Sequence, residues 1–194
     1  MSNLILFYDT ETTGLPLFKD PSDHPDQPHI VQLAAALVDT DTRKTVSSID
    51  VIIKPYGWTI PSEMTAIHGI SNELANEVGV DMKKILPVFL NMASGRLRVA
   101  HNESFDARMI RIAQHKLIHL FSEDDLEIWK SGLGFCTMWK SKPYTLLPKN
   151  KHPKLQEAYL HFFNKEFDGA HSAMADVNAC IAVYFAIKDL EKTQ

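Results

Sequence analysis

The stretch NLILFYDTETTGLP, residues 3–16, decides how the rest of the chain is read. Leu4, Ile5, Leu6, Phe7 and Tyr8 are all apolar or aromatic, and two acids, Asp9 and Glu11, follow directly. A short apolar run that stops at charge reads as a buried strand, here residues 3–9. Residues two apart on a strand point to one face, so Asp9 and Glu11 converge if the strand geometry persists to Glu11. Two adjacent carboxylates repel unless positive charge lies between them. A hard divalent cation such as magnesium is the usual answer, because it takes oxygen ligands and keeps sites open for water or phosphate. A strand that merely ends in solvated acids is the alternative, and this pair alone does not separate the two.

The chain has 194 residues, 45% hydrophobic and 23% charged, which suits one domain with an ordinary core, expected to span residues 1–194. No run approaches the ~20 apolar residues that span a bilayer, so no membrane partner is expected. The N-terminus shows no basic segment, apolar run and cleavage site, so no secretory leader is expected. Cys136 and Cys180 do not make a disulfide framework, which points to a reducing, cytoplasmic compartment. A net charge of −4 speaks against simple phosphate binding unless positive charge is concentrated locally.

Residues 15–29, with four prolines and several aspartates, form a loop. Residues 30–38 fit a strand better than a helix, and residues 46–53 make a third strand in an antiparallel meander. Helical patterns follow at 61–66, with Pro61 at the first helical position, at 71–77 behind Ser71, and at 81–93 behind Asp81. Pro87 should kink or interrupt the last of these. A short strand at 97–100 precedes a helix from Ser104 to about Leu120, with Phe105, Met109, Ile112 and Ala113 on one side. Residues 140–154 form a basic, proline-containing loop, and helices at 154–163 and 172–190 close the chain. The expected architecture is mixed α/β, strands first and then helices around a strand.

Two further stretches bear on the acids. VAHNESFDARMI, residues 99–110, puts Asp106 in the first turn of a helix, where the dipole favours an acid in any case. GAHSAMADVNAC, residues 169–180, places Asp176 among Ala173, Met174, Ala175, Val177 and Ala179. An acid in such company needs a partner or a metal. Five helical positions turn by ~140°, so His171 and Asp176 do not share a face of one continuous helix. His171 therefore sits before the helix.

FYDTETTGL, AHNESFD and HSAMAD together resemble, in order, the three motifs of the DEDDh exonuclease superfamily. IHGIS, residues 67–71, is similar to a further segment of the DNA polymerase III epsilon-like branch, and FCTM, residues 135–138, resembles the exonuclease X group within it. The likeness runs from about residue 3 to residue 188. It implies an RNase H-like fold, a central mixed β-sheet flanked by helices. It implies two divalent metal ions, Mg2+ (or Mn2+), held by Asp9, Glu11, Asp106 and Asp176. In that scheme Asp9 bridges both ions, Glu11 and Asp176 complete one site, Asp106 holds the other partly through water, and His171 is the general base.

The resemblance also implies substrate contacts. Backbone groups at Thr12, Gly14 and Leu15 would hold the terminal 3′-hydroxyl and sugar. Leu15 and Ile67 would wedge against the last bases, Phe105 would pack near the terminal nucleotide, and His68 and Asn102 would make polar contacts. Ordinary core packing is the rival account of Leu15, Ile67 and Phe105. The stretch 140–154 carries Lys140, Lys142, Lys149, Lys151 and Lys154 and no acid, taking +5 of the total and leaving −9 elsewhere. Lys149, Lys151 and Lys154 are candidate phosphate contacts; a solvated loop is the alternative.

The function expected is a metal-dependent 3′-to-5′ exonuclease acting on a nucleic acid with a free 3′ end, DNA in preference to RNA, releasing nucleoside 5′-monophosphates. A 3′-to-5′ exoribonuclease of the same superfamily is the rival within the class. A non-catalytic nucleic-acid or polymerase docking module is the rival outside it, disfavoured because docking does not need four acids and a histidine. A polymerase partner is not indicated, since little tail follows the last helix.

Overall fold

The computed structural model describes residues 3–193; positions 1, 2 and 194 of the expected span lie outside the described residues. Strand β1 (Leu4–Thr12) is the centre of the molecule. It pairs antiparallel with β2 (Ile30–Asp39), which pairs antiparallel with β3 (Thr45–Ile52). On its other edge β1 runs parallel to β4 (Arg98–Ala100), and β4 parallel to β5 (Gly134–Cys136), giving the order β3-β2-β1-β4-β5. The antiparallel meander is as expected, and β1 extends through Glu11, the condition for the two acids to share a face.

A strand at the centre of a sheet covered on both faces should be apolar throughout, and Leu6, Phe7 and Tyr8 are fully buried. Leu6 and Tyr8 pack on one side against Leu86 and Phe89 of α3 (Met82–Ala93), Met109 and Ile112 of α4 (Glu103–Lys116) and Trp129 of α5 (Glu123–Ser131). Ile5 and Phe7 pack on the other against Val177, Cys180 and Tyr184 of α8 (Ala173–Lys192). Helix α7 (Leu155–Phe163) covers α8 through Ala158, against Val183 and Ile187. Two short helices, α1 (Ser62–His68) and α2 (Asn72–Val78), lie after β3, and α6 (Thr137–Thr145) packs on α7 and α8. Among the described residues no helix is long and apolar enough to cross a membrane.

Several local expectations hold at the level of side chains. Ser71 accepts from Leu74 N and Asp81 from Lys83 N, each satisfying a helix-start donor. Others need correction. Pro61 is the cap residue, extended at φ −62° and ψ 144°, and the helix starts at Ser62. Pro87 sits inside α3 without interrupting it, because Leu86, Phe89 and Ala93 bury one face against the sheet. The helix expected to reach Leu120 stops at Lys116, followed by a separate 3-10 turn, Ile118–Leu120. Its buried stripe ends at Gln114, so packing no longer holds the helical path.

The basic stretch 140–154 is not simply a loop. Residues 140–145 belong to α6, whose Thr137 and Ser141 are buried, and Pro148–Asn150 form a 3-10 turn. Helix α5 and strand β5 were not expected. Ser122 and Asp125 form a reciprocal capping box at the start of α5, a pattern present in SEDD, residues 122–125. Strand β5 is only three residues long and carries too little pattern to find.

Candidate active site

The site lies at the C-terminal end of β1, where β4 falls short. Leu6 N–H donates to Leu97 O across the parallel pair, so by alternation Thr10 N–H faces the same edge. Strand β4 ends at Ala100, leaving no strand to receive it. The first turn of α4 fills the gap: Asp106 Oδ1 accepts from Thr10 N at 3.0 Å and from Thr10 Oγ1 at 2.8 Å. Asp106 is 3% exposed, so the carboxylate is fixed by the strand as well as by its helix.

The turn before α4 is fixed from β5. His101 O accepts from Met138 N at 2.8 Å and from Cys136 Sγ at 3.1 Å. The His101 ring reaches Thr137 Oγ1 at 3.0 Å and Pro153 O at 2.9 Å. Burial pulls its pKa down to about 4, so the ring is neutral. Pro153 O can only accept, which puts the ring proton on Nε2 and leaves Nδ1 to accept from Thr137. Residues 135–138 thus hold the turn that carries Asn102, Phe105 and Asp106.

On the α8 face of the sheet, a carboxylate oxygen of Glu11, one of Asp176 and a ring nitrogen of His171 all lie within 4.8 Å of one another. His171 precedes α8, in the left-handed region at φ 69°, and its backbone N–H donates to Asp176 Oδ2 at 3.1 Å. Gln32, opposite Glu11 in the β1–β2 register, fixes the start of α8. Its Oε1 accepts from Ala173 N at 3.2 Å, and its Nε2 donates to Asp50 Oδ1 at 2.8 Å.

Asp9 ties the two parts together. Its carboxyl is held well above the usual range by burial and by Asp106, Asp176 and Glu11. Burial and the Asp176 charge push Glu11 up to about 7. Burial pushes Asp176 up to about 6, and buried Asp106 is raised despite its bonds from Thr10. None of the four forms an ion pair with lysine or arginine among the described residues. Carboxylates gathered with no lysine or arginine paired to them are an oxygen-donor set that suits a hard divalent cation.

The Exonuclease family model (RNase_T) matches residues 6–184. This chain belongs to the Exonuclease family. The DEDDh superfamily assignment made from the three motifs follows with it. A DNA polymerase III PolC-type from Caldanaerobacter subterraneus subsp. tengcongensis is 27% identical over 187 residues, 96% of this chain and 12% of the polymerase. Among solved structures, E. coli exonuclease I in complex with a dT13 oligonucleotide superposes with a TM-score of 0.74 at 20% identity, covering 96% of this chain and 41% of that one. A moderately thermophilic exonuclease I from Methylocaldum szegediense superposes with a TM-score of 0.71 at 18% identity, covering 96% and 40%. The mixed five-stranded sheet with helices on both faces is the RNase H-like fold. The chain spans about an eighth of the polymerase and about two fifths of each exonuclease I.

The remaining residues expected in an exonuclease site fall at different distances from the acids. Thr12 is buried, and its hydroxyl donates to Gly14 O at 2.9 Å; Gly14 takes φ 155°, which a side chain would resist. Leu15 is 75% exposed and Ile67 49%, too open for core residues. Phe105 is half-buried against the core. Asn102 Oδ1 accepts from Ser104 Oγ at 3.2 Å. His68, at the end of α1, is buried; Nδ1 accepts from Ile70 N at 3.1 Å, so the proton is on Nε2, which has no partner among the described residues. Burial, and then repulsion from His171, lower its pKa.

The three lysines differ. Lys151 Nζ is paired with Glu157 at 2.6 Å. Lys154 is the residue before α7, where its backbone N–H donates to Glu157, and Lys149 lies in the 3-10 turn at φ 58°. The His101–Pro153 bond brings this segment beside the turn of Asn102. Loop 15–29 is ordered by Gln27, whose buried amide bonds Leu17 N, Leu17 O and Pro21 O, and by Arg108, which donates to Leu17 O. Thr10, Gln32 and Gln27 were missed in the sequence. Thr10 and Gln32 are polar residues inside apolar strands, the signal that could have found them; Gln27 lies in the loop and carries no such signal.

Proposed function

We propose that this chain, as one domain over residues 1–194, is a cytoplasmic metal-dependent 3′-to-5′ exonuclease that releases nucleoside 5′-monophosphates from DNA. The observation that carries this reading is the gathering of Asp9, Glu11, Asp106 and Asp176 with no lysine or arginine paired to them among the described residues, and with His171 beside Glu11 and Asp176. Family membership supports the class of activity, and the exonuclease I solved with dT13 supports DNA as substrate.

The four acids would hold two divalent ions, Mg2+ or Mn2+. When bound, these would neutralise phosphate charge and lower the pKa of water at the site. The protein's own part is placement. Asp106 is locked by Thr10, and Asp176 by the His171 backbone, so neither carboxylate must be reorganised when substrate arrives. The His171 ring, exposed beside Asp176, accepts a proton from water attacking the phosphate, as a general base. Thr12 and Gly14 present backbone to the terminal sugar. Leu15 and Ile67 lie against the last bases, and Phe105, Asn102 and His68 Nε2–H face the terminal nucleotide. Lys149, Lys151 and Lys154 meet phosphates further along the strand.

Matched DNA and RNA oligonucleotides with magnesium test the reading. DNA should be shortened from its 3′ end faster than RNA. A preference for RNA would move the chain to the exoribonucleases, and binding without cleavage of either would make it a docking module.

A further inference from the structure

A cavity of about 320 Å3 opens on the α3/α4 side of the sheet, away from the acids. This is the size of a small-molecule site, at the low end of a ~300–1,000 Å3 range. One wall is already a stack: the His29 and Trp58 rings lie 4.6 Å apart and only 9° from parallel. His29 is neutral, its pKa pulled to about 4 by burial and by Lys116. Tyr56, also on the wall, is 63% exposed.

The rest of the lining is apolar side chains, Met82, Met109 and Leu117 among them, with three lysines. These are Lys54, Lys83 and Lys116, and none forms an ion pair among the described residues. Asp81 also lines the cavity, its Oδ1 accepting from Lys83 N, and the Asp26 charge acts on Lys116. Lys116 Nζ donates to Pro25 O at 3.3 Å and keeps further protons for a ligand. The cavity is tied to the end of β1, because Thr13 and His29 exchange bonds of 2.9 Å.

Flat aromatic rings beside three ammonium groups, none of them in an ion pair among the described residues, match a ligand with a heterocycle and a phosphate. Rings stack on aromatic side chains regardless of base identity, and ammonium groups bind phosphate through charge-assisted bonds. We propose that this cavity binds a nucleotide, its base on the Tyr56–Trp58 wall and its phosphate on Lys54, Lys83 and Lys116. The nucleotide comes either from within a bound strand or from free mononucleotide. The inference stands on residues distinct from the acidic centre.

Calorimetric titration with deoxyadenosine 5′-monophosphate in EDTA tests it, because the metal-free acidic centre repels phosphate. Binding is expected, weaker by ~tenfold or more for deoxyadenosine or inorganic phosphate alone. Tyr56→Ala and Lys116→Gln should each weaken it by ~fivefold or more, from the loss of stacking or of a phosphate contact. Trp58 also packs on the core, so Trp58→Phe, which keeps a ring, should retain most binding. Competition by an eight-residue oligothymidylate assigns the site to a strand, and its absence assigns it to free nucleotide. No heat at millimolar nucleotide, or equal affinity in Tyr56→Ala and Lys116→Gln, overturns the proposal.

Discussion

Thr10 donates twice to one oxygen of Asp106, from its backbone at 3.0 Å and from its hydroxyl at 2.8 Å. Strand and helix are joined at the acid that most needs a fixed place, since β4 ends too early to pair with Thr10. Thr10→Val removes only the hydroxyl. A hydrogen bond to a charged group contributes about 1.5–3 kcal/mol, about tenfold or more in an equilibrium constant. The melting temperature should fall, and divalent affinity should fall by up to about that factor because Asp106 is less firmly placed. Isothermal titration with Mn2+ measures it, and unchanged affinity would show that the backbone bond suffices.

The carboxylate cluster makes the metal-free protein sensitive to pH. Folding raises Asp9 and Asp106, takes Glu11 to about 7 and takes Asp176 to about 6, above the ordinary range near ~4. From about pH 4 to about pH 8 the folded state therefore binds more protons than the unfolded state, and stability falls as pH rises. In EDTA the wild type should melt lower at pH 8 than at pH 5, and Asp9→Asn should flatten that slope and melt higher at pH 8. Parallel slopes for the two proteins would remove the repulsion from the account.

His171 acts through its ring on water but through its backbone on Asp176. His171→Asn keeps the backbone bond and tolerates the left-handed conformation better than alanine. Turnover should fall ~10²–10⁴-fold, the usual cost of a lost general base, with metal affinity nearly unchanged. An equal loss of metal affinity would make His171 a ligand.

Gln32 is a positioning residue. Gln32→Ala leaves Ala173 N–H without its acceptor and Asp50 without its donor. An unsatisfied buried donor costs about 1–3 kcal/mol, so the variant should melt lower. Loosening the start of α8 should lower kcat more than it raises KM. A change in stability with kcat intact would confine Gln32 to the fold.

The basic segment should set part of the salt dependence. Each phosphate contact on a single strand contributes a log–log slope of about −0.7. Lys149→Gln with Lys154→Gln should flatten the slope by about 1.4 and leave turnover at saturation unchanged. Lys151→Gln should add less, because Glu157 already holds that ammonium. Filter binding in an Asp176→Asn background reads the slopes. No change would take this segment out of the strand's path.

The central strand, the meander and the last helix were legible because burial writes itself into apolar runs and helical spacing. So was the acid pair, since two carboxylates ending such a run contradict burial unless something binds them. What escaped was fixed by partners far along the chain. Whether α6 is helix or loop depends on Thr137 and Ser141 being buried, which Lys140, Lys142 and Pro143 conceal. Strand β5 exists because β4 offers it an edge, and its three residues carry no period. Thr10 looks like any polar residue in a motif until the end of β4 exposes its N–H.

The most direct test follows single-stranded DNA labelled at its 5′ end, incubated with magnesium and with wild type, Asp9→Asn or Asp106→Asn. Wild type should yield a ladder shortening from the 3′ end with nucleoside 5′-monophosphate accumulating, and either variant less than about a tenth of that rate. Full-length DNA with wild type, internal cuts, or a variant as active as wild type would contradict the assignment of the acids.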